Sequence, residues 1–169
     1  MAELLRDDHY VVRKAAIRAL ANLGVAAEPH AVAMAELLCD KDPIVRRCAC
    51  EALPKLGEAA APHAAAMAEL LRDDHYVVRE AAIRALANLG VAATPHAVAM
   101  AELLCDKDPT VRRCACGALA KLGEAAAPHA AAMAESVRIS FTTRTHVSAT
   151  SPSMRWENSD RQQHRTPRQ

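Results

Sequence analysis

Apolar positions in this chain recur every three or four residues, in two short runs separated by a turn. In 29–39, Ala31, Met34, Ala35 and Leu38 fall at i, i+3, i+4 and i+7, the spacing of one buried helical face. Pro29 suits the first helical position, where its missing N–H costs nothing. A helix A is therefore predicted over 29–39. The turn Asp40-Lys41-Asp42 follows. A helix B is predicted over 43–56, with Val45, Ala49, Ala52, Leu53 and Leu56 on its buried side. Gly57 is expected to supply a left-handed stop. The whole unit recurs at 4–24, 37–57, 70–90 and 103–123, spaced by 33 residues. The same reading places helix B at 10–23, 76–89 and 109–122.

A fixed period of this length predicts a solenoid, in which each unit buries its apolar face only against its neighbours. The expected fold is an all-α right-handed α-solenoid of about four helical hairpins. Its repeats are 1–33, 34–66, 67–99 and 100–132, with a fifth begun at 133–135, so the repeat domain is placed at 1–135. From Ser136 the period stops. The segment 136–169 is rich in Ser, Thr and Arg and is expected to be a disordered tail. A break this abrupt is what a frameshift or a retained intron would produce. Met1 enters halfway along a helix A, and neither end carries a capping repeat, so end-to-end self-association through uncovered apolar edges is expected.

A second, longer period runs through the first. Residues 1–66 and 67–132 differ at five pairs: Lys14/Glu80, Glu28/Thr94, Ile44/Thr110, Glu51/Gly117 and Pro54/Ala120. Two of these carry a local cost. Pro54 deletes a backbone N–H inside helix B of the second unit, at about 3 kcal/mol in a helix interior and less near the end, so that helix should bend or finish early. Gly117 should cost about 1 kcal/mol relative to alanine.

Composition narrows the function. Half the chain is hydrophobic, but much of that is alanine and 2% is aromatic, which predicts a thin core. Residues 1–135 hold 15 Lys+Arg against 18 Asp+Glu, a charge of −3, and 136–169 hold six Arg against Glu157 and Asp160, a charge of +4. A nucleic-acid-binding fold is usually basic, so no nucleic-acid partner is expected. No apolar run approaches the ~20 residues of a membrane span, and the N-terminus does not resemble a signal peptide, so no membrane partner and a cytoplasmic location are expected. In a reducing compartment the six cysteines read as thiols.

The motif Asp-x-x-x-x-Val-Arg-x-x-Ala-x-x-Ala-Leu-x-x-Leu-Gly appears as Asp7, Val12-Arg13, Ala16, Ala19-Leu20 and Leu23-Gly24. It begins again at Asp40 with Val45-Arg46, at Asp73 with Val78-Arg79 and at Asp106 with Val111-Arg112. It resembles the HEAT repeat, particularly the short form of phycobilisome-lyase-like proteins. The resemblance implies an inter-repeat ladder of Asp7, Asp40, Asp73 and Asp106 with Arg13, Arg46, Arg79 and Arg112.

The candidate chemistry is sparse. Cys48 and Cys50 lie about 200° apart on a helix, too far round to share an ion, and read as small buried hydrophobes. Cys39 and Cys105 sit at a helix end, where exposure is expected. His30, His63, His96 and His129 stand roughly 10 Å apart, one per packed layer, which excludes a common zinc site. HEAT-like enzymes exist, including phycobilin lyases and the di-iron deoxyhypusine hydroxylase. Every repeat histidine here is followed by Ala or Tyr, never by the Glu of that oxidoreductase's His-Glu pairs. No cofactor, metal or catalytic residue is therefore expected. The chain reads as a non-catalytic protein-binding scaffold or adaptor, with a lyase-like or metal-dependent enzyme and a fragment of a longer array as alternatives.

The differing pairs suggest where a partner would bind. On a common 33-residue frame, four of the five fall at positions 11, 14, 18 and 21, one stripe of helix B. A changing stripe is most simply an exposed one, because cores are close-packed. In HEAT-like solenoids helix B lines the concave side, so the resemblance makes this stripe the recognition surface. Its expected partner-binding residues are Lys14, Arg18, Arg47, Glu51, Glu80, Arg84 and Arg113.

Overall fold

A computed structural model of the chain describes residues 2–129 and Ala134. The boundary expected after 135 and the tail at 136–169 lie outside the described residues. Among the described residues seven α-helices are joined by 3-10 turns, and no strand occurs. The B helices are α1 (Tyr10–Leu23), α3 (Pro43–Ala52), α5 (Tyr76–Leu89) and α7 (Pro109–Leu122). The A helices are α2 (Ala31–Glu36), α4 (Ala64–Glu69) and α6 (Ala97–Glu102). The first unit holds only a 3-10 stretch, Ala2–Arg6, at the place of its helix A. The B helices stack in order, α3 between α1 and α5, and α5 between α3 and α7. The fold is an α-solenoid.

The A helices are shorter than the pattern predicts. Pro29 belongs to a 3-10 turn, Gly24–His30, and the α-helix starts two residues later at Ala31. At the other end the chain tightens into 3-10 geometry over Leu37–Cys39, and Asp40 N–H donates to the Leu37 carbonyl at 3.3 Å. Bonds between residues three apart, as here, suit short helix ends.

Helix B matches its expected span in three of four units. In the second unit α3 stops at Ala52 after 10 residues, against 14 in α1, α5 and α7. Pro54 explains the difference, since it cannot donate back to Cys50 and crowds that carbonyl. Ala120 stands at the same frame position in α7, and that helix continues to Leu122. Gly117 does not interrupt it.

The glycine after helix B is not in the left-handed helical region. Gly57 has φ 70° and ψ −134°, and Gly24 has φ 56° and ψ −131°. This is the mirror image of extended backbone, open to glycine because it has no Cβ. It turns the chain sharply into the next 3-10 stretch rather than closing the helix with a left-handed turn.

The core is one row of medium side chains. Ile17, Leu20, Ile83 and Leu86 from the B helices, and Leu53 and Leu56 from the 3-10 segment that follows α3, form one core with Met34, Met67 and Met100 from the A helices, all fully buried. Each such side chain contributes about 1.5–3 kcal/mol relative to exposure. Ala49, Ala82 and Ala115 of the B helices are buried in the same core.

Helix entry differs between alternate units. Asp42 and Asp108 cap α3 and α7, accepting from Ile44 N–H at 2.8 Å and Thr110 N–H at 2.7 Å. His9 and His75 hold the same position before α1 and α5 with no side-chain cap.

Candidate partner-binding face

Two sets of charged side chains lie on the B helices, in different surroundings. The first is a seam between units. Arg13 forks onto Asp40 of the next unit, Nε to Oδ2 at 2.7 Å and Nη2 to Oδ1 at 2.8 Å. Arg46 meets Asp73 at 2.7 and 3.0 Å, and Arg79 meets Asp106 at 2.7 and 2.9 Å. Each arginine also holds its own unit's turn: Arg13 Nη1 donates to the Asp7 carbonyl at 2.8 Å and the Asp8 carbonyl at 2.9 Å. Arg13 and Arg79 are 5% exposed, charges that persist in the interior because the carboxylate and carbonyls satisfy them.

The carboxylates respond to this setting. Burial pushes the Asp40 carboxyl up, but the Arg13 hydrogen bond, the Asp42 N–H and the Arg13 charge together hold it below the ordinary value. Asp73 and Asp106 are lowered in the same way, by Arg46 and Arg79. Their arginines are raised, first through the same hydrogen bonds.

Of the four aspartates and four arginines expected to form the ladder, the structure joins three pairs. Asp7, in the first unit, turns its carboxylate to His9 N–H at 2.8 Å. Arg112, in the last, bonds the carbonyls of Asp106 and Lys107 at 2.8 and 3.1 Å, and its buried Nε has no hydrogen-bond partner among the described residues. The next aspartate in the frame would be residue 139, where the sequence has isoleucine.

The second set is the stripe. Arg18, Glu51, Arg84 and Arg113 are exposed, and Lys14, Arg47 and Glu80 are half-buried. Arg84 Nη2 lies 2.6 Å from Glu80 Oε1 one helical turn earlier, and Arg47 Nε lies 3.2 Å from Glu51 Oε1, close but not aligned as a hydrogen bond. Cys114 Sγ reaches Glu80 Oε1 at 3.7 Å from the neighbouring unit.

The expected stripe needs one correction. Position 21 of the frame is not an open site: Ala21 and Ala87 are buried, being small enough to tuck beside the neighbouring helix, and only Ala120 is exposed. The exposed line continues instead through position 22, where Asn22, Lys55, Asn88 and Lys121 all face solvent. Lys121 Nζ bonds Asn88 Oδ1 at 3.4 Å across the unit boundary. Lys55 and Lys121 were missed because they do not differ between the two 66-residue blocks. The i+4 step from position 18 would have found them.

The other candidates are dispersed. Cys48 and Cys50 are buried, and burial pushes the Cys50 thiol up to about 12. Cys39 and Cys105 are exposed, and Cys114 and Cys116 are half-buried, in the last described B helix, where packing comes from α5 alone among the B helices. His30, His63 and His96 are half-buried. Among the described residues no three His, Cys, Asp or Glu side chains gather to hold a metal ion, and no helix is long and apolar enough to cross a membrane.

The sequence profile of HEAT repeats matches residues 1–87 and 64–139. Among curated proteins none matches. Similar solved structures include an engineered protein at TM-score 0.63 and 20% identity, covering 90% of this chain and 72% of that one. A second engineered protein matches at TM-score 0.61 and 22% identity, covering 90% of this chain and 43% of the longer partner. A designed armadillo repeat protein in complex with the peptide (KR)4 matches at TM-score 0.60 and 19% identity, covering 90% and 74%.

Proposed function

The chain belongs to the HEAT repeat family, and on that premise we propose that it is a non-catalytic interaction scaffold that presents its helix B face to a protein partner. The observation that carries this reading is the polar stripe at frame positions 14, 18 and 22, half-buried to exposed, which runs through four units whose spacing the buried arginine–aspartate seam fixes. A repeat array that holds side chains at a constant interval suits an elongated partner better than a small substrate. A designed armadillo repeat protein of similar fold is itself in complex with a peptide. The test uses the full chain as bait. Reversing charge at Arg47 and Arg84 should leave helicity by circular dichroism unchanged and weaken capture of whatever partner the unaltered chain retains. If capture survives those changes but fails on altering Glu36 and Glu69 of the A helices, the face is wrongly assigned.

A further inference from the structure

Resting on that assignment of the helix B face, we propose that the partner is an acidic, extended protein segment. The charges of the repeat body are unevenly placed. Apart from the seam arginines, every charged side chain in the four helix B spans of the frame falls at position 14, 18 or 22. Those three positions hold seven cations against two carboxylates, a charge of +5. The remaining positions of residues 1–135 hold eight cations against sixteen carboxylates, a charge of −8. A body that is acidic as a whole therefore carries one basic line.

The line has cationic capacity to spare. Both of its carboxylates are engaged by arginines of their own helix, Glu51 by Arg47 and Glu80 by Arg84. Among the described residues Lys14, Arg18, Lys55 and Arg113 have no ion pair. Packed helices lie about 10 Å apart, and an extended chain rises about 3.3 Å per residue, so about three residues of a partner would cross each repeat. A carboxylate at every third residue would then meet one repeat's cations after another. Nucleic acid fits this line less well. Positions 14, 18 and 22 hold no aromatic side chain to stack a base, and Glu51 and Glu80 would face phosphate.

The test is fluorescence anisotropy of the full chain with labelled extended peptides of about twelve residues, bearing Glu, Gln or Lys at every third position, and with an oligothymidylate of similar length. The Glu peptide should bind at least about tenfold tighter than the Gln peptide at low salt and weaken as salt rises. The six arginines of 136–169 are a second source of positive charge, so the decisive variant is in the stripe. Arg18→Glu with Arg113→Glu should cut affinity for the Glu peptide about tenfold or more. Unchanged affinity in that variant overturns the proposal, as does tighter binding of the Gln peptide, the Lys peptide or the oligothymidylate. A preference for the Gln or Lys peptide that the same variant alters would leave the face assignment standing and remove only the charge assignment. Loss of Glu-peptide binding only on changing Glu36 and Glu69 would remove both.

Discussion

Arg46 and Arg47 are consecutive residues of one helix, and they stand in different parts of the molecule. Arg46 lies in the seam, where its side chain is 15% exposed and its fork is filled by Asp73 and by the carbonyls of its own turn. Arg47 lies on the stripe, where its side chain is 36% exposed and faces Glu51 without an aligned hydrogen bond. One step along a helix turns a side chain by about 100°, enough to move a guanidinium from the interface between units to the outer face. The comparison separates two uses of one residue type. A satisfied, buried arginine fixes where the next unit sits. A partly exposed arginine paired only with a surface carboxylate adds little to the fold and keeps its outer donors within reach of a partner.

The largest expected effect lies in the seam. Arg79→Ala should destabilise the protein by about 3 kcal/mol, because Asp106 is left as a buried carboxylate without its cation. Arg47→Ala should change stability by no more than about 0.5 kcal/mol. Chemical denaturation of the two variants reads this directly, and equal effects would break the distinction between seam and stripe.

The second effect is a pH dependence of the seam. Asp40, Asp73 and Asp106 are held below the ordinary carboxylate value in the fold. The unfolded chain therefore takes up protons first as pH falls, and the seam's contribution is lost on acidification. The melting temperature should hold from pH 7 to about 5 and fall below about 4. Replacing the three aspartates by asparagine should lower the plateau and flatten the fall. A fall of equal steepness in that variant would place the dependence outside the seam.

A smaller effect concerns the end of α3. Pro54→Ala should let this helix run on to the length of α7 and stabilise the chain by about 1 kcal/mol. Increased ellipticity with a higher melting temperature would support this, and no change in helicity would mean that something other than the missing N–H ends the helix.

How much of this was legible in the sequence depended on which physical effect was in question. The 33-residue period and the apolar spacing around Met34 and Val45 located every B helix and the buried sides of the A helices, because burial periodicity is written directly into residue type. The early end of α3 followed from Pro54 alone. The 3-10 ends of the A helices at Gly24–His30 and Leu37–Cys39 were not legible, since an i, i+3, i+4 apolar spacing does not separate an α-helix from one that tightens at its ends. Gly57 was recognisable as a positive-φ stop, but its ψ depends on the direction of the following chain. On the candidate face, the differing pairs led to positions 14 and 18 and also to position 21, where Ala21 and Ala87 are buried. The change at that position falls on Pro54 and Ala120, half-buried and exposed, and says nothing of the unchanged Ala21 and Ala87 in the other two units. Lys55 and Lys121 vary between adjacent units but not between blocks, so that comparison passed over them.

The central claim is that the basic line on the B helices, and no other face, receives the partner. Backbone amide shift perturbation by NMR, with the full chain titrated by the extended Glu peptide, tests it most directly. Perturbed amides should cluster around Lys14, Arg18, Arg47, Lys55, Arg84, Arg113 and Lys121, recurring at the repeat interval. Perturbations centred on Glu36, Glu69 and Glu102 of the A helices, or confined to 136–169, would contradict it.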